Sequence, residues 1–327
     1  MRYIVGVDIG GTNIVVGTAR EDGVEVHGVR TVPTRPEEGP QAVIARIASL
    51  VEESARTTLR ETGRSRDAIV GVGIGSPGPL DRSRGVVLLT PNLGWHDLPL
   101  RDLVSEAVGL PATLDNDANC AIFGEWWVGA AKGSRYVVGL TIGTGIGGGI
   151  VEDGRLYHGT SDIAGEIGHM TIDSTGRRCK CGNYGCLEAY ASGPAIAARA
   201  VEGIEAGAES SLPELVGGDL SRVTAQLVYL AAQQEDEYAS EVVRETAKFL
   251  GAGVANLVNI FNPDVVVLVG GVTLAGDRLF VPLRSEVKRR AFKPAVERCR
   301  ILPGALPGTA GVLGAAATFK LQTWGQV

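Results

Sequence analysis

The sequence predicts an α/β chain of two domains, and three observations carry that expectation. The chain has 327 residues and 44% hydrophobic content, ample for two cores at about 100–200 residues per domain. A strand, a glycine turn and a return strand occur twice, about 133 residues apart, as a duplication would leave them, each half supplying one glycine hairpin to a shared cleft. Finally, the apolar run Val265 to Val269, bounded by Asp264 and Gly270-Gly271, reads as a parallel strand buried on both faces.

In chain order, Tyr3 to Asp8 is extended and apolar, Gly10-Gly11-Thr12 turns, and Ile14 to Thr18 runs back. Val43, Ile44, Ile47, Leu50, Val51 and Leu59 recur at helical spacing, and that helix should end near Gly63. Ile69 to Ile74 is a buried strand that delivers Gly75-Ser76-Pro77-Gly78-Pro79 at its carboxyl end, where open α/β sheets bind ligands. Ala112 to Leu114 delivers Asp115-Asn116-Asp117, and the Ala- and Trp-rich stretch from Ala118 to Ala131 begins as a helix. Val137 to Ile142 leads into Gly143-Thr144-Gly145, and Ile146 to Val151 leads away. Farther on, Val242, Thr246, Phe249, Leu250, Val254 and Leu257 share a helix face before Asn262-Pro263. The last helix, Gly311 to Leu321, is rich in small residues and suited to close packing. Junctions are expected near residues 116 and 300, giving a small domain of 1–116 plus 301–327 and a larger one of 117–300.

Composition excludes several classes. A formal net charge of −6 argues against a nucleic-acid partner. No apolar run approaches the roughly 18 residues of a membrane span. The opening Met1-Arg2-Tyr3-Ile4 lacks a cationic, apolar signal segment and the five cysteines are an odd number, so a cytoplasmic location is expected. Cys120 and Cys299 read as small buried hydrophobes.

His169 with Cys179, Cys181 and Cys186 makes a complete tetrahedral N/S ligand set, and Gly182 and Gly185 let the loop fold back around an ion. Four protein ligands leave no open position, so the expectation is structural zinc, with disulfide pairing as the weaker rival. Asp8-Ile9-Gly10-Gly11-Thr12-Asn13 is a phosphate-loop candidate: glycine lets successive N–H groups face an anion, and Thr12 adds a hydroxyl. In isolation, a plain hairpin turn is the more common explanation of such a segment. Joined by Gly143-Thr144-Gly145 and Gly270-Gly271, it becomes a split nucleotide site, with Asp8 able to hold a magnesium shell through water. No Walker or dinucleotide fingerprint is present. Phosphoryl transfer to a hydroxyl also needs a carboxylate base, for which Asp117 is the choice; a helix N-cap at Asp115 or Asp117 is the competing role.

The runs Asp8-Ile9-Gly10-Gly11-Thr12, Gly75-Ser76-Pro77-Gly78, Pro91-Asn92-Leu93-Gly94-Trp95, Asn116-Asp117-Ala118-Asn119, Gly143 to Gly149, Gly165-Glu166-Ile167-Gly168-His169 and the Cys179–Glu188 loop together resemble the ROK family of sugar kinases and repressors. The resemblance covers the whole chain. It implies a two-domain actin-like, ribonuclease H-like sugar kinase fold with the active-site cleft between domains. By resemblance Asp117 is the catalytic base, and Asn116, Glu166, His169 and Glu188 hold the sugar, His169 binding zinc with its other nitrogen. Gly10, Gly11, Thr12, Asn13, Thr144 and Gly145 correspond to the phosphate hairpins, and Gly270 and Gly271 to the adenosine side. Glucose with magnesium-ATP is the implied substrate pair, because the cysteine loop resembles that of bacterial glucokinases. N-acetylmannosamine or N-acetylglucosamine kinase is the alternative, and polyphosphate an alternative donor. A sugar-sensing regulator is disfavoured, since the first strand starts at residue 3. A homodimer or homotetramer is expected.

Overall fold

Tyr3 to Ile9 is apolar at nearly every position, as a strand covered on both faces requires. In the computed structural model, which describes residues 1–327, β1 (Tyr3–Ile9) and β2 (Asn13–Arg20) form the first hairpin, paired from Tyr3 with Arg20 to Ile9 with Ile14. β3 (Val26–Pro33) extends it, and β4 (Ile69–Ser76) runs parallel to β1 on the other side. β5 (Leu80–Asp81), β6 (Val86–Thr90) and β7 (Trp95–Leu98) make a small antiparallel sheet. β8 (Ala112–Asn116) then completes the order β3-β2-β1-β4-β8.

The pattern repeats. β9 (Tyr136–Ile142), β10 (Ile146–Glu152), β11 (Arg155–Leu156), β12 (Val265–Val269) and β13 (Arg300–Pro303) lie in the order β11-β10-β9-β12-β13, with β12 parallel to both β9 and β13. A hairpin followed by two parallel strands in each sheet is what duplication produces. Val265 to Leu268 are wholly buried.

The chain forms two compact units: Met1–Arg135 with Gly149–Gly165 and Gly304–Val327, and Tyr136–Gly148 with Glu166–Pro303. The helix Asp117–Trp127 therefore lies in the first unit, beyond the junction expected at 116. Its attachment is physical. A Cβ on Gly314 would sit 1.5 Å from the Cys120 carbonyl oxygen, and one on Gly124 2.3 Å from that of Ala310. Helix Asp117–Trp127 and the C-terminal helix Ala310–Trp324 thus cross at backbone contact. The buried Glu125 carboxylate adds bonds from the N–H groups of Ala130, Ala305 and Leu306, at 2.8, 2.9 and 2.9 Å.

In the first unit, helix Pro40–Thr62 buries Val43, Ile44, Ile47, Leu50 and Val51 with Tyr3, Val5 and Val7, and stops at Gly63 in the left-handed region, φ 65°. The C-terminal helix packs Leu313, Ala316 and Phe319 with Ile4 and Ala19. In the second unit, helix Glu237–Phe261 buries Val242, Thr246, Leu250, Val254 and Leu257 and ends at left-handed Asn262 before Pro263. No helix is long and apolar enough to cross a membrane. Cys120 is buried as expected, whereas Cys299 is only partly covered, because it sits at the exposed turn entering β13.

Gly314→Ala forces a methyl into the Cys120 carbonyl and should lower unfolding stability by about 2 kcal/mol or more. Urea titration checks this; an unchanged midpoint means the helices do not depend on backbone contact.

Candidate active site and metal centre

The loop after β1 is braced from behind. Gly10 N–H donates to the Asn13 carbonyl at 2.8 Å, Thr34 N–H to the Thr12 carbonyl at 2.9 Å, and the Thr34 hydroxyl to the Gly10 carbonyl at 2.7 Å. Gly11, Thr12 and Asn13 stay exposed, so a rigid turn presents its rim outward. Asp8, one residue before the end of β1, lies against the first turn of the C-terminal helix. A Cβ on Gly311 would fall 2.1 Å from Asp8 Oδ2, so glycine is what admits the carboxylate there. Burial, followed by the charge of Asp117, pushes the Asp8 pKa up to about 7. The helix N-terminus acts in the opposite sense, favouring the anion. Excess negative charge of this kind suits a divalent cation.

At the end of β8 the helix cap is neither aspartate. Asn116 Oδ1 accepts from Asn119 N–H at 3.1 Å, making Asn116 the N-cap, and Asp117 is the first helical residue. Asp117 Oδ1 accepts from Ala118 N–H at 2.9 Å. A Cβ on Gly75, near the end of β4, would lie 3.4 Å from Asp117 Cα, so the strand ends of the first sheet converge on this residue.

In the second unit, Gly143 N–H donates to the Gly145 carbonyl at 2.9 Å, and Gly193 N–H to the Gly143 carbonyl at 2.8 Å. Glu188 Oε2 accepts from Ile146 N–H at 2.8 Å and would be 2.6 Å from a Cβ on Gly145. The Thr144-Gly145 turn and Glu188 are therefore one packed feature. Gly270, φ 103°, follows β12, where a Cβ would lie 2.3 Å from the Ile142 carbonyl oxygen; Gly270-Gly271 thus flanks the same strand end. Glu166 is half-exposed, with Oε2 4.0 Å from His169 Nε2. Burial lifts its carboxyl above the usual range, His169 opposing and Glu188 adding to the rise.

The ligand atoms of His169, Cys179, Cys181 and Cys186 all lie within 4.8 Å of one another. Cys181 and Cys186 sulfurs are 3.7 Å apart, and Cys179 Sγ is 3.8 Å from His169 Nδ1. Zinc–sulfur bonds of about 2.3 Å put tetrahedral ligands about 3.7 Å apart, whereas a disulfide needs about 2 Å. The donor set fits a closed zinc site. Gly182, φ 96°, and Gly185, φ 72°, reverse the loop, and a Cβ on Gly185 would strike the Asp173 carbonyl oxygen at 1.6 Å. Because Nδ1 faces the thiols, Nε2 of His169 is the nitrogen turned to Glu166. Glu188 Oε1 is 3.9 Å from Cys179 Sγ, so the cysteine loop, Glu188 and the second glycine turn are joined.

The model of the ROK family matches residues 4–322. The chain belongs to the ROK family. This ROK chain is 39% identical over 318 residues to a glucokinase of Thermotoga maritima, covering 97% of each protein. It is 37% identical over 322 residues to a glucokinase of Halalkalibacterium halodurans, covering 98% of this chain and 96% of that one. A ROK family glucokinase from Streptomyces griseus, solved with glucose and AMPPNP, superposes with TM-score 0.84 at 35% identity, over 96% of this chain and 98% of that one. The two-domain α/β fold of ROK sugar kinases implied by the sequence motifs is the fold of this chain.

Contacts of Asp115 escaped sequence reasoning. Its partners Arg82 and His158 lie 33 and 43 residues away, and neither sits in a motif. Gly311 was likewise legible only as one small residue among many.

The Asp8 shift has a sign. The unfolded chain ionises Asp8 near 3.8 and the folded protein near 7, so the folded state holds the extra proton between these values and stability falls as pH rises through that window. Asp8→Asn removes the fall: without magnesium, its unfolding free energy from urea titration should match that of the native protein near about pH 4 and exceed it near about pH 8, by on the order of 4 kcal/mol, with a correspondingly higher midpoint. Equal midpoints at the higher pH contradict the assignment.

Proposed function

We propose that this ROK protein is a glucokinase, transferring the γ-phosphoryl group of ATP to the 6-hydroxyl of glucose with Asp117 as general base. Asp8 and Asp117 carry this reading: two carboxylates at strand ends of one sheet, close enough that one raises the pKa of the other. In-line phosphoryl transfer uses such a pair, one group taking the hydroxyl proton and one serving the metal. The similarity to the named glucokinases supports glucose and ATP as the substrates.

Asp117 would orient the sugar hydroxyl and accept its proton as the bond to phosphorus forms. The exposed Gly11 to Asn13 rim, braced by the Gly10 N–H, and the Thr144-Gly145 turn would donate N–H groups to phosphate oxygens, and Gly270-Gly271 would border the adenosine. Asn116, Glu166, His169 and Glu188 would hydrogen-bond the remaining hydroxyls; each unpaired buried partner costs about 1–3 kcal/mol. Magnesium bound with ATP supplies charge neutralisation of the phosphates, and the Asp8 carboxylate fits its water shell. Zinc held by His169, Cys179, Cys181 and Cys186 supplies rigidity, fixing the ring that turns Nε2 toward Glu166. Exposed Ile260 and Phe292 on the second unit support a homodimer or homotetramer, which light scattering measures.

Magnesium-dependent ADP release should be strong with glucose and weak with N-acetylmannosamine, N-acetylglucosamine or fructose, and ATP should outperform polyphosphate as donor. Asp117→Asn should lose about 10²–10⁴-fold in kcat while glucose binding by calorimetry persists; full turnover in this variant sinks the mechanism. Metal analysis should find zinc, and Cys181→Ser should raise the glucose KM more than it lowers kcat. Loss confined to kcat would instead place the metal in the chemical step.

A further inference from the structure

Two residues before Asp117, a carboxylate is buried completely. Asp115 exposes none of its surface, yet five donors reach it. Arg82 Nε lies 3.0 Å from Oδ2, His158 Nε2 lies 3.1 and 3.0 Å from the two oxygens, and Asn116 N–H donates to Oδ1 at 2.9 Å. Asn119 Nδ2 and Gln322 Nε2 stand farther off, each at 3.4 Å. Burial alone would lift this carboxyl, but the bond from His158, the charges of His158 and Arg82 and the Asn116 N–H outweigh it and hold the pKa below the usual range.

The donors come from separate parts of the first unit. Arg82 follows β5 and is itself gripped by Asp162, through its N–H at 3.1 Å and Nη1 at 3.4 Å. His158 begins a loop closed by the bond from Ala164 N–H to its carbonyl, 3.1 Å, and that loop contains Asp162 in the left-handed region, φ 59°. The same stretch of chain runs directly into Glu166. A buried ion pair is a poor way to gain stability, because apolar residues of equal volume usually serve as well. It does fix geometry. Here the Asp115 carboxylate holds the Asn116 N–H, and Asn116 caps the helix whose first residue is Asp117.

We propose that His158 and Arg82 are positioning residues for phosphoryl transfer, acting through Asp115 to hold Asn116 and Asp117 in register with the sugar hydroxyl. This rests on Asp117 being the base. Neither residue touches the reacting atoms. Loss of the His158 donor lets the Asp115 carboxylate rotate and frees the strand end, so misplacement of the base appears in kcat and not in the nucleotide.

The test compares His158→Leu, His158→Gln and Asp117→Asn as purified full-length proteins, measuring magnesium-ATP turnover with glucose, the KM for each substrate and the thermal midpoint. His158→Leu, assayed well below its midpoint, should lose on the order of tenfold or more in kcat with the KM for ATP held. His158→Gln, whose amide nitrogen can take the place of Nε2, should recover to within about threefold of the native rate. A residue serving stability alone would lower the midpoint in both variants and leave kcat untouched. Native turnover in His158→Leu, or equal damage in His158→Gln, overturns the inference. If Asp117→Asn is inactive while His158→Leu turns over normally, only the positioning role fails; if Asp117→Asn remains active, the base assignment fails and this inference with it. Should His158→Leu not fold, Arg82→Met removes the guanidinium donor at a more exposed site and must show the same fall in kcat with the KM for ATP held, or the inference is wrong.

Discussion

Contact at backbone distance between the C-terminal helix and the first sheet is the constraint on which the first unit depends. Val312 and Ala315 carbonyl oxygens would lie 2.0 and 1.8 Å from Cβ atoms on Gly6 and Gly73. Side chains at these positions would lift the helix off β1 and β4. Such a lift would also withdraw Gly311 from Asp8 and Gly314 from Cys120, separating the elements that bring Asp8 and Asp117 within electrostatic reach. Leu313 and Phe319 bury apolar area, while the glycine and alanine contacts of the helix are held by dispersion over a close, well-fitted surface.

The second unit solves a different problem, that of fixing polar side chains on irregular backbone. The segment from 166 to 188 contains little regular structure beyond the short turn Ile167–His169. Two positive-φ glycines fold it so that one nitrogen and three sulfurs converge. Glu188 then links that loop to the Thr144-Gly145 turn through the Ile146 N–H. Rigidity in the cysteine loop is thereby communicated to a glycine turn more than 30 residues earlier in the chain.

Charge is distributed unevenly around Asn116. On one side Asp115 is surrounded by donors and stays ionised; nearby, Asp8 meets burial and another carboxylate and takes up protons more readily. Neighbouring carboxylates with opposite shifts are thus placed in different electrostatic settings, one held ionised by donors and one raised by burial and a second carboxylate.

By itself the sequence determined the strands β1, β2, β4, β8, β9, β10 and β12, the glycine turns, the two long helices with their stops at Gly63 and Asn262, the ROK motifs and the four metal-ligand candidates, since each is set by local periodicity, turn chemistry or residue type, whereas the short or edge strands β3, β5, β6, β7, β11 and β13 left no such signal. The caps were less legible: Asn116, and not a neighbouring aspartate, took the helix N-terminus, because cap choice depends on which side chain the strand leaves facing the free N–H groups. The place of helix Asp117–Trp127 could not be read, because its partner lies nearly 200 residues later and their match consists of absent side chains. Only the tertiary structure brought Arg82 and His158 to Asp115 and Gly311 to Asp8. Charge pairing and backbone contact act through space, and chain spacing carries no signal for groups that meet across a fold.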